Sequence, residues 1–191
     1  MHLYQEALSM KDTLIDTRRH QHQIPELGLQ LPRTAAFVES RLKEMGYSPQ
    51  RLGQCGIVAT VGKASGKCFL LRADMDALPV REQADVDFKS ENGNMHACGH
   101  DLHTTTLLGA AKLLKDHEDR LEGLVKLMFQ PAEETMDGGK MMVENGVLGS
   151  FTKISRVSVD IVHSRKSLLL SAGNVIWNGP SPCVYSSVYT T

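Results

Sequence analysis

Short apolar runs alternate with longer periodic segments from residue 56 onward, and that alternation leaves few architectures open to the chain. "GIVATVG" (56–62), "CFLLRAD" (68–74) and "LVKLMFQ" (124–130) have the length and composition of strands. The first two are separated by the turn-like "KASG", and the third is ended by Pro131. "TTTLLGAAKLLKDH" (104–117) reads as a helix between the second and third runs. In "RVSVDIVH" (156–163), Val157, Val159 and Ile161 alternate, which predicts a strand whose face ends on His163. Strand and helix in this order predict an α/β fold, a three-layer α/β/α sandwich with a largely parallel central sheet.

Upstream, Leu3, Ala7, Met10 and Leu14 recur at helical spacing, with Leu8 and Ile15 widening the stripe. That helix is expected to run through "RRHQHQ" and stop at Ile24, because the residue before a proline avoids helical geometry. A second helix follows Pro32, with Ala35, Val38, Leu42 and Met45 on one face and Gly46 as its cap. "GGKMMVEN" (138–145) is a short helix closed by Gly146, and the pattern weakens from Ser150 onward.

At 191 residues the chain can hold one sizeable domain, or one domain and the start of another. A net charge of −1 and 5% aromatic residues give no case for nucleic acid or a membrane surface as partner. No apolar run approaches the ~18 residues of a membrane span. The N-terminus lacks the basic start and apolar centre of a signal peptide. Cysteines at 55, 68, 98 and 183 show no paired spacing, so a reducing, cytoplasmic home is expected.

Three clusters of chemistry-bearing residues stand just past the ends of predicted strands, where an α/β sheet places its sites. They are Asp74 and Asp76 in "RADMDALP", Cys98, His100 and Asp101 in "HACGHD", and Glu133 and Glu134 in "QPAEE". Aspartates two apart are common in solvated turns, and a Glu-Glu pair is usually plain surface. The cysteine–histidine cluster says more, because thiolate and imidazole are preferred ligands of borderline divalent ions. Adjacent side chains in extended backbone point in opposite directions. One of the two glutamates can therefore bind metal while the other takes a proton from a metal-activated water, which ionises near pH ~7. That combination is metal-assisted hydrolysis. The competing reading, Cys98 as nucleophile with His100 as its base, has awkward geometry two residues apart and no evident orienting group.

"RRHQHQIPELG" (18–28), "LRADMDALPV" (71–80), "MHACGHDLHT" (95–104) and "FQPAEE" (129–134) together resemble the M20 metallopeptidases. The likeness is to their amidohydrolase branch of hippurate hydrolases, N-acyl-amino-acid deacylases and auxin-conjugate hydrolases. The resemblance implies that Cys98, His100 and Glu134 are metal ligands, that Glu133 is the general base, and that Asp76 orients the centre from behind. His163 is the one candidate for the family's fourth ligand. His96, Asp101 and His103 are expected to shape the loop or hydrogen-bond the ligands. His20 and His22 are expected to pack the first helix against the sheet. Two divalent ions are implied, zinc, manganese, cobalt or nickel, with a small N-acyl amino acid or peptide as substrate and a dimer in the full-length family.

Members of that family are roughly twice as long and carry a lid or dimerisation domain inside the catalytic one. Residues 1–178 then correspond to the first part of the catalytic domain and 179–191 to the start of the lid. The expected sandwich is incomplete, because the chain stops before the second half. The alternative implied is a catalytically incompetent fragment that binds metal or a partner chain.

Overall fold

The computed structural model describes residues 3–65 and 67–148, together with the backbone of 154–159. Helices α1 (Leu3–Ser9), α2 (Lys11–His22) and α3 (Pro32–Glu44) precede strands β1 (Gln50–Leu52), β2 (Gly56–Gly62) and β3 (Cys68–Asp74). Helix α4 (His100–Asp116), strand β4 (Leu124–Gln130), helix α5 (Asp137–Glu144) and strand β5 (Ile154–Val159) follow. The single helix expected at the N-terminus is two, broken at Met10. There the Ser9 hydroxyl donates back to the Glu6 carbonyl at 2.7 Å, a local bond that competes with helix continuation. The rest of the strand expected at 156–163, its terminal His163 and the segment 179–191 lie outside the described residues.

The sheet has the order β1-β2-β4-β3-β5. Strand β3 runs parallel to both β4 and β5, as the strand–helix alternation predicts. Strands β1 and β2 add an antiparallel margin, so the sheet is mixed. The reason is the connection between β2 and β3, only five residues long. A parallel neighbour needs a crossover of a dozen residues or more, which α4 supplies between β3 and β4 and nothing supplies between β2 and β3.

Strand β4 therefore sits between two strands that are neighbours in sequence. Its start is bonded to both ends of their connection: Lys63 N donates to Gly123 O at 3.0 Å, and Leu124 N to Lys67 O at 2.9 Å. A Cβ on Gly123 would stand 2.2 Å from the Lys67 carbonyl oxygen, so this approach requires glycine.

Period-two alternation sorts the strands onto two cores. Ile57, Ala59, Val61, Leu127 and Phe129 face Ala35, Val38 and Leu42 of α3 and Leu107, Leu108 and Ala111 of α4. Val58, Leu70 and Met128 face the other way, against Met142 of α5 and Val147 beyond it. Helices thus cover both faces, giving the three layers. Burying a side chain such as Leu42 or Phe129 contributes about 2–3 kcal/mol each. Among the described residues no helix is long and apolar enough to cross a membrane.

Candidate metal centre

Parallel pairing brings the carboxyl ends of β3 and β4 side by side, with Asp74 in register with Gln130. Met75 N donates to Gln130 O at 2.9 Å and carries the pairing one residue further. The loops leaving the two strands then meet at Asp76. Its carboxylate accepts the backbone N–H of Glu133 at 2.9 Å on one oxygen and that of Glu134 at 3.0 Å on the other. Both glutamates are thereby set by one buried side chain.

The glutamate turn is bracketed by two left-handed residues that are not glycine, Ala132 (φ 53) and Met136 (φ 60). Each costs of order 1 kcal/mol or more, and the surroundings hold it. Gly138 N donates to Ala132 O at 3.0 Å, and a Cβ on Gly138 would fall 1.6 Å from the Pro131 oxygen.

Helix α4 begins at His100, four residues before the expected start. Gly99, left-handed at φ 82, turns the chain into it, so His100 and Asp101 occupy its first turn. Thr104 Oγ1 donates to Asp74 O at 2.8 Å and ties that turn to β3. His100 Nδ1 lies 2.9 Å from the Asp76 carbonyl oxygen. A carbonyl only accepts, so Nδ1 donates to it and Nε2 is the nitrogen turned to the site, able to bind an ion once its own proton is displaced. Around Nε2 stand Asp74 Oδ2 at 3.7 Å, Glu134 Oε1 at 3.8 Å and Glu133 Oε2 at 3.9 Å.

Ligand atoms of Cys98, His100 and Glu134 all lie within 4.8 Å of one another. Glu134 Oε1 is buried without a hydrogen-bond partner, and it is one of the atoms that face His100 Nε2. A soft thiol, an imidazole with its tautomer fixed, and an unsatisfied carboxylate oxygen make a donor set that fits a divalent ion. A second group, Asp74, His100 and His103, also converges. There, however, Asp74 Oδ1 accepts from His103 Nδ1 at 2.6 Å and Oδ2 pairs with Arg72 Nη1 at 2.9 Å. Asp74 is already satisfied and supports the site from below, while His103 stacks on His100 with ring centroids 5.5 Å apart.

The local field calls for a cation. Burial works against a charged His100, yet the hydrogen bond to Asp76 and the charges of Asp74, Asp76 and Glu134 raise it to about 9. The Glu134 carboxylate beside Cys98, then burial and the charges of Glu133 and Asp74, push that thiol up to about 11. Burial and the Asp74 charge raise Glu133 above the usual carboxylate range, against the pull of His100 and Arg72. Burial would raise Asp74 too, but His103, Arg72 and His100 outweigh it and hold that carboxyl low.

Asp76, Cys98, His100, Glu133 and Glu134 are thus brought together, whereas His163 lies outside the described residues. His20 is exposed against the Phe37 ring, 4.4 Å away. His22 does not pack on the sheet, because α2 lies along α4; it is buried between Asp101 (2.7 Å) and Glu82 (2.9 Å). Glu82 carries no signal in periodicity or spacing and is missed by the sequence. Cys55 and Cys68 are buried free thiols.

Residues 70–177 match Peptidase family M20/M25/M40. The chain is 48% identical over 139 residues to IAA-amino acid hydrolase ILR1-like 5 of Arabidopsis thaliana, covering 72% of this chain and 32% of that protein. It is 45% identical over 144 residues to N-acetyl-L-cysteine deacetylase of Bacillus subtilis (strain 168), covering 73% and 34%. Among solved structures it is similar to the Bacillus subtilis YXEP protein, described as a dinuclear metal binding peptidase from the M20 family. That likeness has a TM-score of 0.73 at 37% identity, over 78% of this chain and 42% of the other. The chain therefore spans about a third of the length of these curated relatives.

Proposed function

From the premise that the chain belongs to peptidase family M20/M25/M40, we propose that it forms the metal-binding first part of an amidohydrolase. That enzyme cleaves the amide bond of N-acyl amino acids or small peptides. The observation that carries this reading is the convergence of Cys98, His100 and Glu134 with Glu133 beside them. The relatives' names, an IAA-amino acid hydrolase and an N-acetyl-L-cysteine deacetylase, support the substrate class. In this reading residues 1–178 belong to the catalytic domain and 179–191 open a lid.

Cys98, His100 and Glu134 hold the ion, and His163 completes the set. Thiolate and imidazole suit zinc, and the carboxylates also admit manganese, cobalt or nickel; the dinuclear YXEP protein supports two ions. A divalent ion held there supplies a Lewis acid that polarises the scissile carbonyl and acidifies water. Asp76 fixes both glutamates through their backbone N–H groups. Glu133, its side chain 42% exposed and its carboxyl raised, takes the proton as the water oxygen bonds to the carbonyl carbon. It returns that proton to the nitrogen as the C–N bond breaks, releasing carboxylate and amine.

Glu133→Gln tests the assignment. Turnover of N-acetyl amino acids is expected to fall by roughly 10²–10⁴-fold with metal content per chain unchanged. Undiminished turnover in the variant would remove Glu133 from the role. A second reading, a unit that binds metal without turnover, is favoured by the count of donors: only Cys98 and His100 converge with Glu134 among the described residues. Metal uptake with no amine released by the unmodified chain would select it.

A further inference from the structure

Beside the metal centre lies a buried charged cluster that the hydrolytic roles leave unused. His22 is 3% exposed and both of its ring nitrogens face carboxylates, Nδ1 on Asp101 Oδ2 at 2.7 Å and Nε2 on Glu82 Oε1 at 2.9 Å. Ionised carboxylates only accept, so each nitrogen donates and the ring is an imidazolium. Arg18 Nε also reaches Asp101 Oδ2 at 2.8 Å, while Asp101 Oδ1 accepts from Leu102 N at 2.9 Å. Asp101 is in the first turn of α4, next to His100.

Glu82 belongs to residues 79–94, a stretch with no helix or strand. Its ends are closed by the paired bonds between Leu78 and Met95, 3.0 Å in each direction. Glu82 Oε2 accepts from Ser90 N at 2.6 Å, and Asn92 Nδ2 donates to Pro25 O at 2.8 Å. Phe88 lies against the Arg18 and Arg19 guanidiniums at 5.1 and 4.9 Å and meets the His22 ring edge-on at 5.7 Å. Leu78 stands two residues after Asp76 and Met95 three before Cys98, so a shift of this loop is passed into both.

We propose that His22 is a positioning residue, clamping loop 79–94 and the first turn of α4 to one point and so holding Cys98 and His100 in register for metal. The inference rests on Cys98, His100 and Glu134 as the metal-binding set. The two halves of the clamp can be cut separately. Asparagine places its amide nitrogen near the position of imidazole Nδ1 and keeps the Asp101 bond, whereas glutamine reaches the Nε2 position and keeps the Glu82 bond.

The test is hydrogen exchange of the metal-free chain, paired with titration by cobalt. His22→Gln is expected to speed exchange in the first turn of α4 and raise the cobalt Kd about 10-fold or more. His22→Asn is expected to speed exchange in 79–94 while leaving that turn as in the parent, and to raise the cobalt Kd by about 3-fold or more through Met95 and Cys98. Identical patterns for both variants, or acceleration spread evenly over the fold, would overturn the proposal, since a merely stabilising ion pair behaves in that way. If the parent chain takes up no cobalt, the metal reading fails while exchange still decides the clamp. If neither variant folds, ¹⁵N NMR of the parent's His22 ring decides: two N–H groups are required, and a bare ring nitrogen overturns the proposal.

Discussion

Replacing Asp76 by asparagine keeps the shape of the side chain and removes what the site needs from it. In the parent, each carboxylate oxygen accepts one backbone N–H, from Glu133 and from Glu134. Hydrogen bonds to a charged acceptor contribute about 1.5–3 kcal/mol each, so the pair is worth about 4 kcal/mol. Asparagine can keep one of them at the neutral strength of about 1 kcal/mol, and it turns an NH₂ donor on the other N–H. The net loss is about 3 kcal/mol. With a urea m-value of about 2 kcal/mol/M, the unfolding midpoint should fall by about 1.5 M. Metal affinity should fall with it, because Glu134 is aimed by the same bond. Circular dichroism across a urea series and a zinc competition titration read the two effects. A midpoint within ~0.3 M of the parent would show that the Asp76 carboxylate does not hold the glutamate turn.

Two further outcomes follow from local geometry. His22 is raised above its ordinary 6.5 first by the Asp101 hydrogen bond, with burial opposing and the Glu82 bond adding. A raised folded value stabilises fully below 6.5 and is lost as pH climbs through it. The urea midpoint should therefore decline above that pH, with a flatter profile in His22→Gln; parallel profiles would refute the assignment. Gly138→Ala, whose Cβ would stand 1.6 Å from the Pro131 oxygen, should destabilise by about 3 kcal/mol or more. Gly146→Ala, at φ +85 with nothing within 4 Å, should cost only about 1 kcal/mol. Equal melting shifts in the two alanine variants would contradict the packing around Pro131.

Strands β2, β3 and β4 were legible to the residue because their boundaries are written locally, in apolar runs ended by turns and Pro131. The start of α4 was not. His100 and Asp101 interrupt the apolar period, and the left-handed Gly99 that begins the helix has no signature in spacing. Strand order escaped as well, since nothing in "KASG" says that a later strand will separate its two neighbours. The converging residues Cys98, His100 and Glu134 were nameable because each belongs to a short motif. The His22–Glu82 contact joins residues sixty positions apart with no motif around Glu82, and only folding brings them together.

The place of β4 in the sheet has a consequence for how the chain is made. Strands β2 and β3 emerge as consecutive segments, yet in the finished sheet they stand two strand spacings apart, about 10 Å. The slot between them waits until residue 124, after the whole of α4 has been synthesised. During that interval both facing edges lack their final partner, and the nearest substitute is each other, a hairpin that must open again. Long-range insertion of this kind is slow compared with local pairing. The inserted strand also delivers Glu133 and Glu134, so these carboxylates reach the metal centre only after Asp76, Cys98 and His100 have been made.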